Sequence, residues 1–141
     1  MILNRQKKIR VALAPLEEFL ERVKTETRSR DAEVTVCLVS DAEIARLNQK
    51  FRRKRGPTDV LSFPAQERKK AESDGARFLG DVAIAPETAR RYAVRNGRKP
   101  KDELRILILH GVLHLLGYDH ETDHGQMDRI EKKLRRRLGL T

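Results

Sequence analysis

Apolar and polar positions follow one another along the chain in stretches that predict nine secondary-structure elements. Residues 2–4 form a weakly signalled first strand, and the apolar, β-branched runs at 33–39, 59–63 and 78–84 predict three more strands. Apolar residues recur at helical spacing at 15–27 and 43–51, which indicates two amphipathic helices. Three further helices are predicted: a short one from Pro86, one capped by Asp102 that runs to residue 116, and one at 123–138.

The order of these elements predicts an α+β fold. We expect a single domain over residues 1–141, with a small mixed β-sheet packed with about five helices. Ser40 and Glu43 are spaced as a capping box for the second helix. The polar, charged stretch at 66–77 predicts a mobile loop between two strands.

The helix that ends at residue 116 is apolar on all sides, which predicts that it is buried at the centre of the domain. His110 and His114 lie four residues apart on it, and therefore on one face. Gly117 is suited to end the helix in a left-handed conformation, after which His120 approaches from the following turn. Three imidazoles with an open coordination position are typical of a catalytic zinc site, on the central helix and the turn after it.

The spacing of these histidines is also that of the metzincin proteases, but Gly111 stands where those enzymes carry the glutamate that serves as general base. The pattern therefore indicates metal chemistry on a substrate other than a peptide. A closed structural site, with His124 or Asp119 as fourth ligand, is the alternative. His124 is more typical of a residue at the start of the last helix.

The net charge of +10 and the sequence pI of about 10.2 indicate a polyanionic partner, nucleic acid before membrane. Three stretches carry much of this charge: residues 50–55, 95–101 and 132–137. Aromatic residues make up only 4% of the chain and Trp is absent, so contacts to backbone phosphates are expected before a base-stacking platform.

The single cysteine, Cys37, predicts a reducing cytoplasm and no disulfide-linked partner. No secretory signal is expected at the N-terminus, and the longest apolar run is too short to span a bilayer.

Two motifs, with a third in support, resemble those of the YbeY family of bacterial endoribonucleases, the rRNA maturation factors. The first is His-Gly-x-Leu-His-Leu-x-Gly-Tyr-Asp-His at residues 110–120. The second is Leu-Asn-x-x-Phe-Arg at 47–52, followed by Pro-Thr-Asp-Val-Leu-Ser-Phe-Pro at 57–64. The segment Leu-Gly-Asp-Val at 79–82 matches in kind.

The resemblance implies a cytoplasmic, zinc-dependent hydrolase that cuts single-stranded RNA. It implies action on rRNA of the small ribosomal subunit, in 3′-end maturation and ribosome quality control. His110, His114 and His120 match the ligands of one Zn²⁺ per chain, and Arg52 matches an arginine needed for activity. The family often continues with Gly-x-Asp after this arginine, whereas this chain has three cations, which we expect to bind RNA with Lys50: Arg53, Lys54 and Arg55.

We expect the metal ion to lower the pKa of a bound water to about 7 or to polarise a phosphoryl oxygen, while Arg52 binds the scissile phosphate. Asp81, Asp119, Glu121 and Asp123 are the candidate proton acceptors. Asp81 and Asp119 are also candidates to orient a ligand histidine, and Asp119 to cap the turn. The alternative functions are another metal-dependent hydrolase, or a non-enzymatic ribosome-assembly factor with a structural zinc.

Overall fold

The computed structural model describes residues 1–65, 77–119 and 121–140. Residues 66–76 of the predicted mobile loop lie outside these ranges, and so does His120. The elements follow in the predicted order, which confirms the α+β fold. They are β1 (Ile2–Asn4), α1 (Leu13–Glu26), β2 (Ala32–Leu38), α2 (Asp41–Arg52), β3 (Val60–Pro64), β4 (Arg77–Ile84), α3 (Pro86–Arg95), α4 (Pro100–Leu115) and α5 (Gln126–Arg137).

The four strands form a mixed sheet in the order β1-β2-β4-β3. β1 and β4 run parallel to β2, and β3 runs antiparallel to β4, with Ser62 opposite Val82. Among the described residues only β4 pairs with β3, so β3 is an edge strand. An edge strand presents unpaired backbone N–H and C=O groups, and here that edge faces the cleft described below.

Side chains that alternate along the strands divide the core into two clusters. Val36, Val82 and Ile84 pack with α1, α4 and α5 on one face of the sheet. Leu61 and Ala83 pack with Ile44 of α2 on the other face. The edge strand β3 therefore lies between α4 on one side and α2 on the other.

α4 is the buried central helix that the sequence predicts. It begins two residues before the predicted cap: Asp102 lies in the first turn, and the N-cap is Lys99, in an extended conformation. Pro100 explains the earlier start, because proline is pre-set for the first helical position. In the described ranges no helix, α4 included, is long and apolar enough to cross a membrane.

Gly111 lets α4 approach β4 closely. A Cβ atom built on Gly111 would lie 2.6 Å from Cγ1 of Val82, whose side chain is fully buried. A glutamate begins with that same Cβ, so the position used by the metzincin base is closed here unless the sheet moves. The backbone is engaged as well, because the Ser62 hydroxyl donates to the Gly111 carbonyl at 3.3 Å.

We expect Gly111→Ala to lower the free energy of unfolding by about 1–3 kcal/mol, the usual effect of overpacking a core. Intrinsic helix propensity acts the other way, favouring alanine over glycine by about 1 kcal/mol. A lower free energy of unfolding in Gly111→Ala therefore shows that the clash with Val82 outweighs the gain in propensity. Urea unfolding of the variant, alone and combined with Val82→Ala, measures it. The double variant should recover part of the loss, and a stabilised Gly111→Ala would contradict the close packing.

Candidate active site

His110 and His114 meet on one face of α4, as their spacing predicts. Their ring centroids lie 4.6 Å apart, and the two Nε2 atoms are separated by 3.1 Å. A tetrahedral zinc ion bound by two imidazoles at about 2.0–2.1 Å brings their nitrogens to about 3.3 Å from each other. The pair therefore fits two positions of a zinc site with little movement.

Glu131 of α5 orients the His110 ring. Because an ionised carboxylate only accepts hydrogen bonds, Nδ1 of His110 donates to Glu131 Oε1 at 2.9 Å, and the lone pair of the neutral ring lies on Nε2. Metal-binding histidines usually have such a partner. Glu131 is not among the site residues predicted from the sequence. The sequence feature that could have pointed to it is an acidic residue on the apolar face of α5, which Glu131 shares with Met127 and Leu134.

The end of α4 turns the chain as predicted. Gly117 has φ +101°, and its N–H donates to the His114 carbonyl while the Tyr118 N–H donates to the Leu113 carbonyl. These two bonds form a Schellman motif. In the described part of the chain no group of three or more His, Cys, Asp or Glu is placed to hold a metal ion. His120, the third expected ligand, remains a prediction.

A cleft of about 780 Å³ opens beside the histidine pair and crosses the free edge of β3. Arg52, the last residue of α2, lines the same cleft as His110 and His114, which brings together three of the predicted site residues. The full lining is Phe51, Arg52, Val60, Leu61, Ser62, Phe63, Pro64, His110, His114, Gly117, Tyr118, Asp119 and Glu121. Arg52 is exposed, and within the described ranges no hydrogen bond or ion pair engages its guanidinium.

The basic stretch at residues 50–55 differs from the other two. Its five cations are all exposed, and none has an ion-pair partner among the residues that the structure describes. In the other two stretches several cations are neutralised by carboxylates: Arg98 by Glu103, Lys132 by Asp128, Arg135 by Glu131 and Arg137 by Glu26. Of the three stretches, 50–55 is therefore the one in which no cation is neutralised by a described carboxylate, and its Arg52 lines the cleft.

Asn48 holds this stretch in place. Its buried side-chain amide donates to the Gly56 carbonyl at 3.0 Å, and Arg53 takes a left-handed conformation, φ 54°, to end α2. The loop thus folds back on the end of the helix. A cation in the last helical turn also interacts favourably with the helix dipole, which suits Arg52.

The acids considered as proton acceptors or ligand-orienting groups take different places. Asp81 is exposed on the face of β4 opposite α4, near Cys37, so the structure does not bring it to the histidine pair. The carboxylate of Asp119 lines the cleft and accepts from the Glu121 N–H at 2.9 Å, a turn-capping contact. The carboxylate of Asp123 accepts from the N–H groups of Gly125 and Met127 at the start of α5. Glu121 is exposed and lines the cleft.

His124, the alternative zinc ligand, is exposed. Its backbone N–H donates to the Gln126 side chain at 2.7 Å. His124 does not line the cleft. This position agrees with a residue at the start of the last helix.

Behind His110, a smaller cavity contains further acids that the sequence did not single out. Asp59, Glu103 and Glu131 line it together with Arg98 and Arg135. Burial raises the pKa of Asp59 above its ordinary value, partly offset by the backbone N–H groups of Asp59 and Val60 and by the nearby His110. The side of the His110 ring that faces Glu131 is therefore an acidic environment balanced by two guanidinium groups.

We expect Glu131→Ala to weaken zinc binding about 10- to 100-fold, the usual effect of removing the partner of a ligand histidine. Competition with a chromophoric chelator measures the affinity without relying on activity. Asp128→Asn, an exposed acid on the same helix, is the matched control and should bind zinc as the wild type does. Wild-type affinity in Glu131→Ala, with melting unchanged, would show that Glu131 does not support a metal ligand.

Comparison with known proteins places this geometry in one family. The model of a family described as endoribonuclease YbeY matches residues 1–139. The endoribonuclease YbeY of Koribacter versatilis is 44% identical over 99% of this chain and 86% of its own length, and that of Aquifex aeolicus is 41% identical over 85% and 77%. The solution structure of TM1509 from Thermotoga maritima has a TM-score of 0.65 and 33% identity, covering 98% of this chain and 89% of that one.

Proposed function

Because the chain belongs to the YbeY family, whose relatives are named endoribonucleases, and so is an RNA-cleaving hydrolase, we propose that it is a zinc-dependent enzyme specific for single-stranded RNA. The observation that carries this proposal is the shared cleft. Arg52 and the histidine pair line it together, although they lie on separate helices. A nuclease site needs a group that binds the phosphate beside a group that activates the attack, and this cleft provides positions for both.

His110, His114 and His120 would hold the ion, with Glu131 fixing the His110 ring from behind. When bound, Zn²⁺ supplies a Lewis acid that stabilises charge on phosphoryl oxygens and makes water a better nucleophile near neutral pH. Arg52 would bind the scissile phosphate through its planar, bidentate guanidinium. Since no described carboxylate pairs with Arg52, it needs no exchange of partners to bind a phosphate.

The proton that the attacking water loses would pass to a carboxylate that lines the cleft. Of the four candidate acids, Asp119 and Glu121 line the cleft. Asp119 already accepts the Glu121 N–H, so its orientation is fixed by the turn. We assign the acceptor role to Glu121, which is exposed at the cleft.

The substrate we propose is rRNA of the small ribosomal subunit, cut during 3′-end maturation and quality control in the cytoplasm. The net charge of +10 and the unneutralised cations at 50–55 support a polyanionic substrate. The rRNA substrate in particular is what the resemblance of the motifs at residues 47–64 and 110–120 to the YbeY rRNA maturation factors implies. RNA is the partner we expect. In the reducing cytoplasm that we propose, the single cysteine, Cys37, would stay a thiol, and no disulfide-linked protein is expected.

A 3′-extended small-subunit rRNA tests this assignment. The protein is incubated with that RNA, both free and within assembled subunits, and the new ends are mapped. We expect cuts in single-stranded sequence that cluster at the mature 3′ end, and a circular form of the same RNA should be opened. Cuts spread evenly over the RNA would contradict the substrate, and an intact circle would contradict internal cleavage.

A further inference from the structure

The aromatic residues of the chain are concentrated at the cleft. The chain has four Phe and two Tyr, and three of these six line the cleft: Phe51, Phe63 and Tyr118. Low aromatic content argues against an extended stacking platform, but it does not exclude one local site. Half of the aromatic side chains of this protein are available to a ligand in one place.

Phe51 is the unusual member of the set. It is 55% exposed, although burying such a side chain is favourable. Its ring meets Phe63 in an edge-to-face contact, with centroids 5.1 Å apart and an interplanar angle of 73°. The Lys50 ammonium lies 5.3 Å from the centre of the Phe51 ring. An exposed aromatic pair with a cation against it suits a ligand that is flat, apolar and joined to negative charge.

The position of this pair relative to the histidines follows from the alternation along β3. Leu61 and Phe63 belong to the side of the sheet covered by α2, and Ser62 contacts α4 on the other side. The cleft crosses the edge of β3 and reaches both. An extended ligand bound across this edge would have the aromatic pair on one side of β3 and the histidine pair on the other.

We propose that Phe51 and Phe63 form a base subsite that stacks one unpaired nucleobase of the RNA substrate, a role that rests on the proposed function. Aromatic side chains stack on bases without regard to sequence. In a duplex both faces of a base are covered by its neighbours, so the subsite accepts only a base that is splayed out of a single strand. Arg52 and its neighbouring cations hold the phosphates, and the subsite supplies the preference for single strands.

A nucleobase fits this site better than an apolar segment of a protein partner. Lys50 lies against the Phe51 ring and Arg52 lines the same cleft, and the five cations at 50–55 have no ion-pair partners among the described residues. An apolar peptide would leave that charge unused, whereas a nucleotide brings a phosphate with each base. Charge complementarity therefore favours a nucleotide over an apolar peptide at this site.

The test combines removal of the ring with removal of the base. Binding of a short single-stranded oligoribonucleotide, and of the same length of abasic ribose-phosphate chain, is measured by fluorescence anisotropy with wild type, Phe51→Leu and Phe51→Tyr. We expect Phe51→Leu to weaken binding of the normal oligomer about 5- to 150-fold and of the abasic one hardly at all. Phe51→Tyr keeps the ring and should bind both oligomers as wild type does.

Salt dependence separates this role from phosphate binding. The slope of log K against log salt concentration should not change in Phe51→Leu, and it should fall by about one in Lys54→Ala. Equal weakening of the normal and abasic oligomers by Phe51→Leu, or no weakening of either, would overturn the base subsite while leaving the nuclease intact. A wild-type protein that neither binds nor cuts single-stranded RNA would overturn the proposed function and the subsite with it.

Discussion

Removing the metal from the purified protein is expected to abolish cleavage of single-stranded RNA, and stoichiometric Zn²⁺ to restore it. The reason is the arrangement of His110 and His114, whose Nε2 atoms lie 3.1 Å apart with the His110 ring fixed by Glu131. The measurement is the initial rate of RNA cleavage before chelation, after it, and after zinc is added back.

Circular dichroism of the metal-free protein separates catalysis from structure. We expect the fold to persist, because α4 is held by its own buried apolar residues and its Schellman motif rather than by ligands. A structural zinc would instead make the protein unfold on chelation. Unfolding without metal, or an undiminished rate, would each contradict a catalytic ion.

Arg52→Ala is expected to lower kcat about 10²- to 10³-fold, the usual effect of removing one preorganised group that stabilises transition-state charge. Arg52 is exposed and lines the cleft, so stability should change by less than about 0.5 kcal/mol. Arg52→Lys should recover only part of the rate, since an ammonium does not bind a phosphate in bidentate fashion.

Arg53→Ala provides the matched control. Arg53 is the next residue and is also exposed and cationic, but it is not among the residues that line the cleft. We expect it to raise KM and to reduce the salt dependence of binding while kcat stays near wild type. If Arg52→Ala cuts RNA as fast as Arg53→Ala does, Arg52 is one more solvated cation.

Periodicity predicts most of this fold because the elements are strongly patterned. The α4 run has no polar face, and it is the buried centre of the domain. Gly117 ends α4 in the predicted left-handed conformation, and Ser40 accepts the Glu43 N–H as the predicted cap. Asp102 was the wrong N-cap, because proline at the first position moves the start of the helix to Pro100.

Contacts between distant elements are not visible in a local pattern. Glu131 lies 21 residues from His110 and in a helix of mostly exposed charges, so spacing does not connect the two. Asp81 is the one exposed residue in the otherwise buried run from Gly80 to Ile84, so no alternation of polar and apolar positions shows which way its carboxylate points. The Phe51–Phe63 pair likewise depends on how the end of α2 packs beside the edge of the sheet.

Whether RNA cleavage depends on the histidine pair is measured by comparing two proteins purified side by side, the wild type and His114→Ala, on one single-stranded RNA. His114 is half-buried at the cleft, and removing its imidazole takes away one of the two Nε2 atoms that meet there. We expect cleavage by the wild type and none by the variant, with both proteins folded. Equal cleavage by both, or by neither, would contradict it and favour an assembly factor in which the histidines are structural.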